Sequence, residues 1–107
     1  MNRSLTGFAR DEIKAIHALS KRYNRLKGRD HSEILLELAG KHLLEIKDLS
    51  KSGDPHFVVE TGDLMILCLE LIKGSGKSPD VVMAGSYKRY RRKLTRLIKM
   101  MEDKVQH

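Results

Sequence analysis

Apolar residues recur along this chain at three- and four-residue intervals, which is the period of a helix with one face turned to a core. Ile13, Ile16, Leu19, Tyr23 and Leu26 make the first such stripe. Leu35, Leu38, Ala39, His42, Ile46 and Leu49 make the second, and Met83, Tyr87, Tyr90, Leu94, Leu97, Met101 and Val105 the last. Between them "HFVVETGDLMILCLELI" (56–72) behaves differently, because after Asp63 it is apolar nearly all round except for Glu70. "KGRD" (27–30), "SKSGDP" (50–55) and "KGSGKSP" (73–79) break the pattern,. Asp30 with Glu33 has the spacing of a capping box. Asp54-Pro55 and Ser78-Pro79 each place a proline directly after a good N-cap,. These signals predict four helices, over 9–27, 31–50, 55–73 and 79–104, and no strand. The fold class is all-α, a single helical domain over residues 1–107. The third helix is expected to be buried on several sides, either at the centre of the bundle or against another subunit.

Composition narrows the class more than the function. A hydrophobic content of 40% with 33% charged residues is that of a folded domain,. The formal net charge of +7 favours anionic partners: a nucleotide or other phosphate-bearing ligand, nucleic acid, or an acidic protein,. Between Lys88 and Lys104 eight Lys or Arg residues stand against two acids, so the last helix carries most of that charge. There the choice lies between a solvated helix face and phosphate binding. The one cysteine, Cys68, sits in the apolar run and reads as a buried small hydrophobe,. The longest apolar run, Leu64 to Leu69, is far too short to span a bilayer,. The expectation is a cytoplasmic protein with no membrane partner.

Several motifs can be weighed on spacing. "GSGKS" (74–78) ends like a phosphate-binding P-loop, but the first glycine of that motif falls on Leu71, and Pro79 follows at once,. It reads as an inter-helix loop. The five histidines show no zinc-ligand spacing in sequence, and His42 reads as a satisfied core histidine,. The acids are more informative. Glu33, Glu37, Glu45 and Asp48 line one side of the second helix with Lys41 among them. Glu60 and Asp63 share a face of the third helix, whose apolar surroundings make carboxylates costly unless something answers their charge. Mg²⁺ prefers carboxylate oxygens, and triphosphates arrive with it. Carboxylates converging on Mg²⁺ from two antiparallel helices would account for the pair.

"LLELAGKHLLEIKDL", "SGDPHFVVETGDLMILCLELI" and "YKRYRRKL" together resemble the MazG-type, all-α nucleoside triphosphate pyrophosphohydrolases, over roughly residues 31 to 96. The resemblance implies a four-helix, oligomeric MazG-like protein that splits nucleoside triphosphates into the monophosphate and pyrophosphate with Mg²⁺. It places Glu60 and Asp63 at metal-ligand positions of an E-x-x-D motif. It makes Lys88, Arg91 and Arg92 the candidates for phosphate contacts. The second helix departs from the family pattern. Glu37 matches a common neighbouring glutamate, while the two ligand positions fall on Leu38 and Lys41. Glu45 and Asp48 are expected to lie too close to the loop to face Glu60 and Asp63. Lys41 is expected to put an ammonium where a cation would sit.

Two function classes follow. One is a nucleotide pyrophosphohydrolase with an altered metal site, in which Glu37, Glu60 and Asp63 hold Mg²⁺ and water attacks a phosphoryl group. The other is a non-catalytic helical binding protein for a nucleotide, nucleic acid or protein partner. In both, the chain is a homo-oligomer through its third helix.

Overall fold

A computed structural model describes the backbone of residues 5–106 and the side chains of residues 10–106. Among these residues there are four helices and no strand: α1 (Leu5–Leu26), α2 (His31–Ser52), α3 (Phe57–Gly74) and α4 (Pro79–Val105). No described helix is long and apolar enough to cross a membrane.

The boundaries follow local chemistry. At the head of α2 the Asp30 carboxylate accepts from the Glu33 backbone N–H at 3.0 Å, which satisfies one of the free amides of the first turn,. α2 ends at Gly53, whose φ of 75° lies in the left-handed region that glycine adopts without penalty,. The Asp54 N–H then reaches back to the Leu49 carbonyl at 2.9 Å. α3 starts two residues later than Pro55 predicts. The Asp54 side chain captures the His56 N–H at 2.9 Å, so Asp54 to His56 close a turn before the helix begins,. Pro79 does open α4, directly after an extended Ser78. "GSGKS" is the loop from the end of α3 to the start of α4.

α2 and α3 make by far the most extensive helix–helix contact. His42 meets Glu60 while His31 approaches Glu70, so numbering falls along α2 as it rises along α3, and the pair is antiparallel. A connection of four residues permits nothing else between close neighbours. α1 packs across both, and α4 touches α1 and α3 but not α2. An Arg10–Asp80 ion pair of 2.8 Å ties α1 to the first turn of α4.

The apolar core is small: Ile13 from α1, Ile34 and Leu35 from α2, and Leu67 from α3. With them are buried three polar side chains, His17, Asn24 and Glu70. α1 therefore turns inward a face that coincides with its apolar stripe only at Ile13 and the half-buried Ile16 and is polar beyond them. Ile13, His17, Ser20 and Asn24 face the interior, while Leu19, Tyr23 and Leu26 are exposed. α3 is only partly covered, with Leu67 and Glu70 its buried residues. Cys68 is exposed, contrary to its reading as a buried hydrophobe, because the chain packs only one side of this helix.

α4 is about 40 Å long and has no buried residue. From Tyr87 to Gln106 every position is exposed, including the stripe Tyr87, Tyr90, Leu94, Leu97 and Met101. The radius of gyration of 17.6 Å reflects this projecting helix; a compact chain of this length measures about 13 Å.

Leu35, at 2% exposure, is the most enclosed side chain of the core. Leu35→Ala is expected to cost about 2–5 kcal/mol, and loss of the cap in Asp30→Ala about 1 kcal/mol. Urea unfolding followed by circular dichroism measures both.

Candidate functional site

The head of α3 and the middle of α2 bring together a group of ionisable side chains. Glu60 and Asp63 are one turn apart on α3. Across the helix pair, His42 Nδ1 lies 2.7 Å from Glu60 Oε1. A carboxylate oxygen can only accept, so Nδ1 carries the proton and donates it. His56, one turn before Glu60, places its Nε2 at 3.6 Å from Glu60 Oε2. Donor atoms of His42, Glu60 and Asp63 lie within 4.8 Å of one another.

Glu45 joins them. It stands one turn beyond His42, and its carboxyl hydrogen-bonds that of Glu60. The hydrogen bond from Glu45, and then that from His42, hold Glu60 below the usual carboxylate range. The same bond and the nearby Glu60 charge push Glu45 up. The two carboxyls titrate as a pair, with Glu45 displaced upward and Glu60 downward,. Glu60 is thus favoured as an anion by one imidazole hydrogen bond, a second imidazole near by and the neighbouring Glu45 carboxyl. This arrangement can hold a proton and pass it between a carboxyl and an imidazole.

The residues singled out in the sequence are distributed differently. Glu60 and Asp63 come together with His42. Glu37 does not join them: its Oε1 pairs with Arg29 Nη2 at 2.8 Å on the surface, and that guanidinium holds its carboxyl below the usual range. Glu45, expected to lie too near the loop, reaches Glu60 from the face of α2 that it shares with His42,. Lys41 is exposed, and among the described residues no carboxylate lies within ion-pair distance of it; the group answering Glu60 is His42. Lys88, Arg91 and Arg92 lie on the exposed part of α4, which does not touch α2.

Mg²⁺ takes near-octahedral oxygen ligands. The set gathered here includes an imidazole, lacks Glu37, and already spends one Glu60 oxygen on His42. These residues do not fit Mg²⁺. Imidazole with carboxylate suits a transition cation instead.

A second cluster was not foreseen. His17 of α1, His31 of α2 and Glu70 of α3 converge where the three helices meet. Burial pushes the His31 imidazole down, against the opposing pull of Glu70. His42–Glu45 and His56–Glu60 had a signal in the sequence, since their three- and four-residue spacings put each pair on one helix face. His17, His31 and Glu70 had none, for each comes from a different helix.

No protein-family model matches the chain, and searches of curated proteins and of solved structures find no match.

The upward displacement of Glu45 gives the site a pH signature. A carboxyl raised in the folded state stabilises fully below its ordinary value and loses that contribution as pH rises through the raised one. Parent stability is therefore expected to fall as pH rises above the ordinary carboxylate range, over the window set by Glu45. Glu45→Gln keeps an N–H donor to Glu60 and cannot ionise, so its melting temperature is expected to be flatter across that window. Glu60, held low, adds the opposite component, lost only as pH falls below the ordinary range. Thermal melts between about pH 4 and pH 8 compare the two proteins.

Proposed function

We propose that this chain is a MazG-like helical protein of the nucleotide pyrophosphohydrolase type, with an altered centre, that binds a nucleotide or another phosphate-bearing ligand through α4. The observation that carries this reading is the basic face of that helix. Lys88, Arg91, Arg92, Arg96 and Lys99 lie together on one side, with Ala84, Tyr87 and Thr95 between them. All five cations are exposed, and among the described residues none has a carboxylate within ion-pair distance. Cations without internal partners, set at helical spacing, suit a row of phosphate oxygens. Single-stranded nucleic acid offers the same chemistry in extended form.

A second reading, hydrolysis, is favoured by the convergence of His42, Glu60 and Asp63. Pyrophosphate release over a panel of nucleoside and deoxynucleoside triphosphates, with Mg²⁺ and separately with Mn²⁺, separates the two. Binding without turnover is the expected result. Turnover abolished by Glu60→Gln would move the conclusion to catalysis.

Oligomerisation belongs to the same proposal. Tyr87, Tyr90, Leu94, Leu97 and Met101 alternate steps of three and four residues, the seam of helices packed in a bundle or coiled coil. This seam is exposed on the single chain, as is Met65 of α3. A second copy of the chain would cover these faces.

Two results follow. Replacing Lys88, Arg91 and Arg92 by alanine is expected to weaken binding of triphosphate and oligonucleotide. It should also reduce the slope of log K against log salt by about 2–3 for the oligonucleotide. Titration at several salt concentrations reads this, and a triple variant that binds like the parent removes the phosphate role. In sedimentation, the parent is expected to be at least a dimer at micromolar concentration, and Leu94→Glu a smaller species. A monomeric parent counts against the assembly.

A further inference from the structure

The junction of α1, α2 and α3 holds a group of side chains that the phosphate-binding reading does not use. Glu70 is 2% exposed and His17 9%. His17 Nδ1 lies 3.5 Å and His31 Nε2 4.0 Å from the same oxygen, Glu70 Oε1. Both nitrogens are buried and make no hydrogen bond. The two rings stand edge to face, with centroids 5.2 Å apart. Ser20 donates its hydroxyl to Glu70 Oε1. Asn24, itself buried, reaches His31 Nδ1 at 2.8 Å.

We propose that His17 Nδ1, His31 Nε2 and Glu70 Oε1 form a binding site for a divalent transition cation of the zinc type, which fastens α1 to the α2–α3 pair. Two imidazoles and one carboxylate are a zinc donor set and a poor one for Mg²⁺ or Ca²⁺. In a tetrahedral site with bonds of about 2.0–2.2 Å, ligand atoms lie about 3.3–3.5 Å apart. Of the observed separations to the carboxylate oxygen, that of His17 already matches and that of His31 must close by roughly 0.5–0.7 Å,. They are also too long for the direct hydrogen bonds that would otherwise satisfy two buried nitrogens. Asn24 lies in the outer-shell position, with its Nδ2 against His31 Nδ1; turning the amide over so that Oδ1 accepts from Nδ1–H leaves the Nε2 lone pair facing Glu70,. The proposal also accounts for the inverted face of α1. His17, Ser20 and Asn24 point inward while Leu19, Tyr23 and Leu26 remain outside. An inward polar face is costly unless it has something to bind.

The test uses the full chain, stripped with a chelator and titrated with Zn²⁺ against a chromophoric competitor, with Co²⁺ as the spectroscopic probe. The parent is expected to bind one Zn²⁺ at this junction, to melt several degrees higher with it, and to give the visible absorption of four-coordinate Co²⁺. His17→Ala, His31→Ala and Glu70→Gln are each expected to lose binding by more than the roughly 10–100-fold typical of an outer-shell change, and Asn24→Ala by about that amount. His42→Ala is the control for the other cluster and is expected to keep the junction's Zn²⁺, melting shift and Co²⁺ spectrum. Glu70→Gln preserves shape, so it decides the matter if a histidine variant fails to fold. A parent that binds no Zn²⁺, or Zn²⁺ binding that survives Glu70→Gln, or binding lost only in His42→Ala, overturns the assignment. None of these outcomes depends on whether α4 binds phosphate.

Discussion

The carboxylate of Glu70 is the constraint around which three helices are arranged. It sits on the most apolar helix of the chain and is as enclosed as the best-buried leucine. A carboxylate taken out of water is costly unless polar groups replace the water. α1 supplies them by turning His17 and Ser20 inward, and the first residue of α2, His31, closes the group from the other side. The placement of α1, with Leu19, Tyr23 and Leu26 of its apolar stripe facing outward, follows from serving Glu70.

α3 carries two carboxylates that the fold treats differently. Glu70 is deep, and Glu60 stands near the start of the helix, where α2 brings His42 within hydrogen-bond distance and His56 flanks it from the preceding turn. The step of ten residues from one to the other spans nearly three helical turns, so the two groups do not touch. Each is met by two histidines. α2 contributes one to each group, His31 at its start and His42 eleven residues on, again about three turns apart. The antiparallel register of α2 and α3 fixes both encounters at once.

α4 is a contrasting element. It is anchored through its first turns, by Asp80 to Arg10 among other contacts, and then leaves the body of the protein. Its exposed length has an apolar seam and a basic face. On a free helix the first is unfavourable and the second is repelled by its own charge, and both conditions are relieved by partners: apolar surface for the seam, anions for the cations.

The sequence by itself determined the elements. Caps, prolines and the glycine of "SKSGDP" are local signals, and they located four helices to within a few residues; the largest departure is at the start of α1. The sequence also marked Glu60 and Asp63 as carboxylates on one face, because a helix fixes i and i+3 whatever it packs against. Only the tertiary structure decided which faces turn inward and what meets Glu60. Hydrophobic periodicity predicts that the apolar face is buried, but a single small chain with the buried Glu70 carboxyl to satisfy turns His17, Ser20 and Asn24 inward and leaves Leu19, Tyr23 and most of the α4 stripe outside. Glu37 and Lys41 were assigned by their place in the sequence; Arg29 drew the first away, and His42 stood where the second was expected. The meeting of His17, His31 and Glu70 joins residues from three helices, and no spacing along one helix encodes how three helices cross.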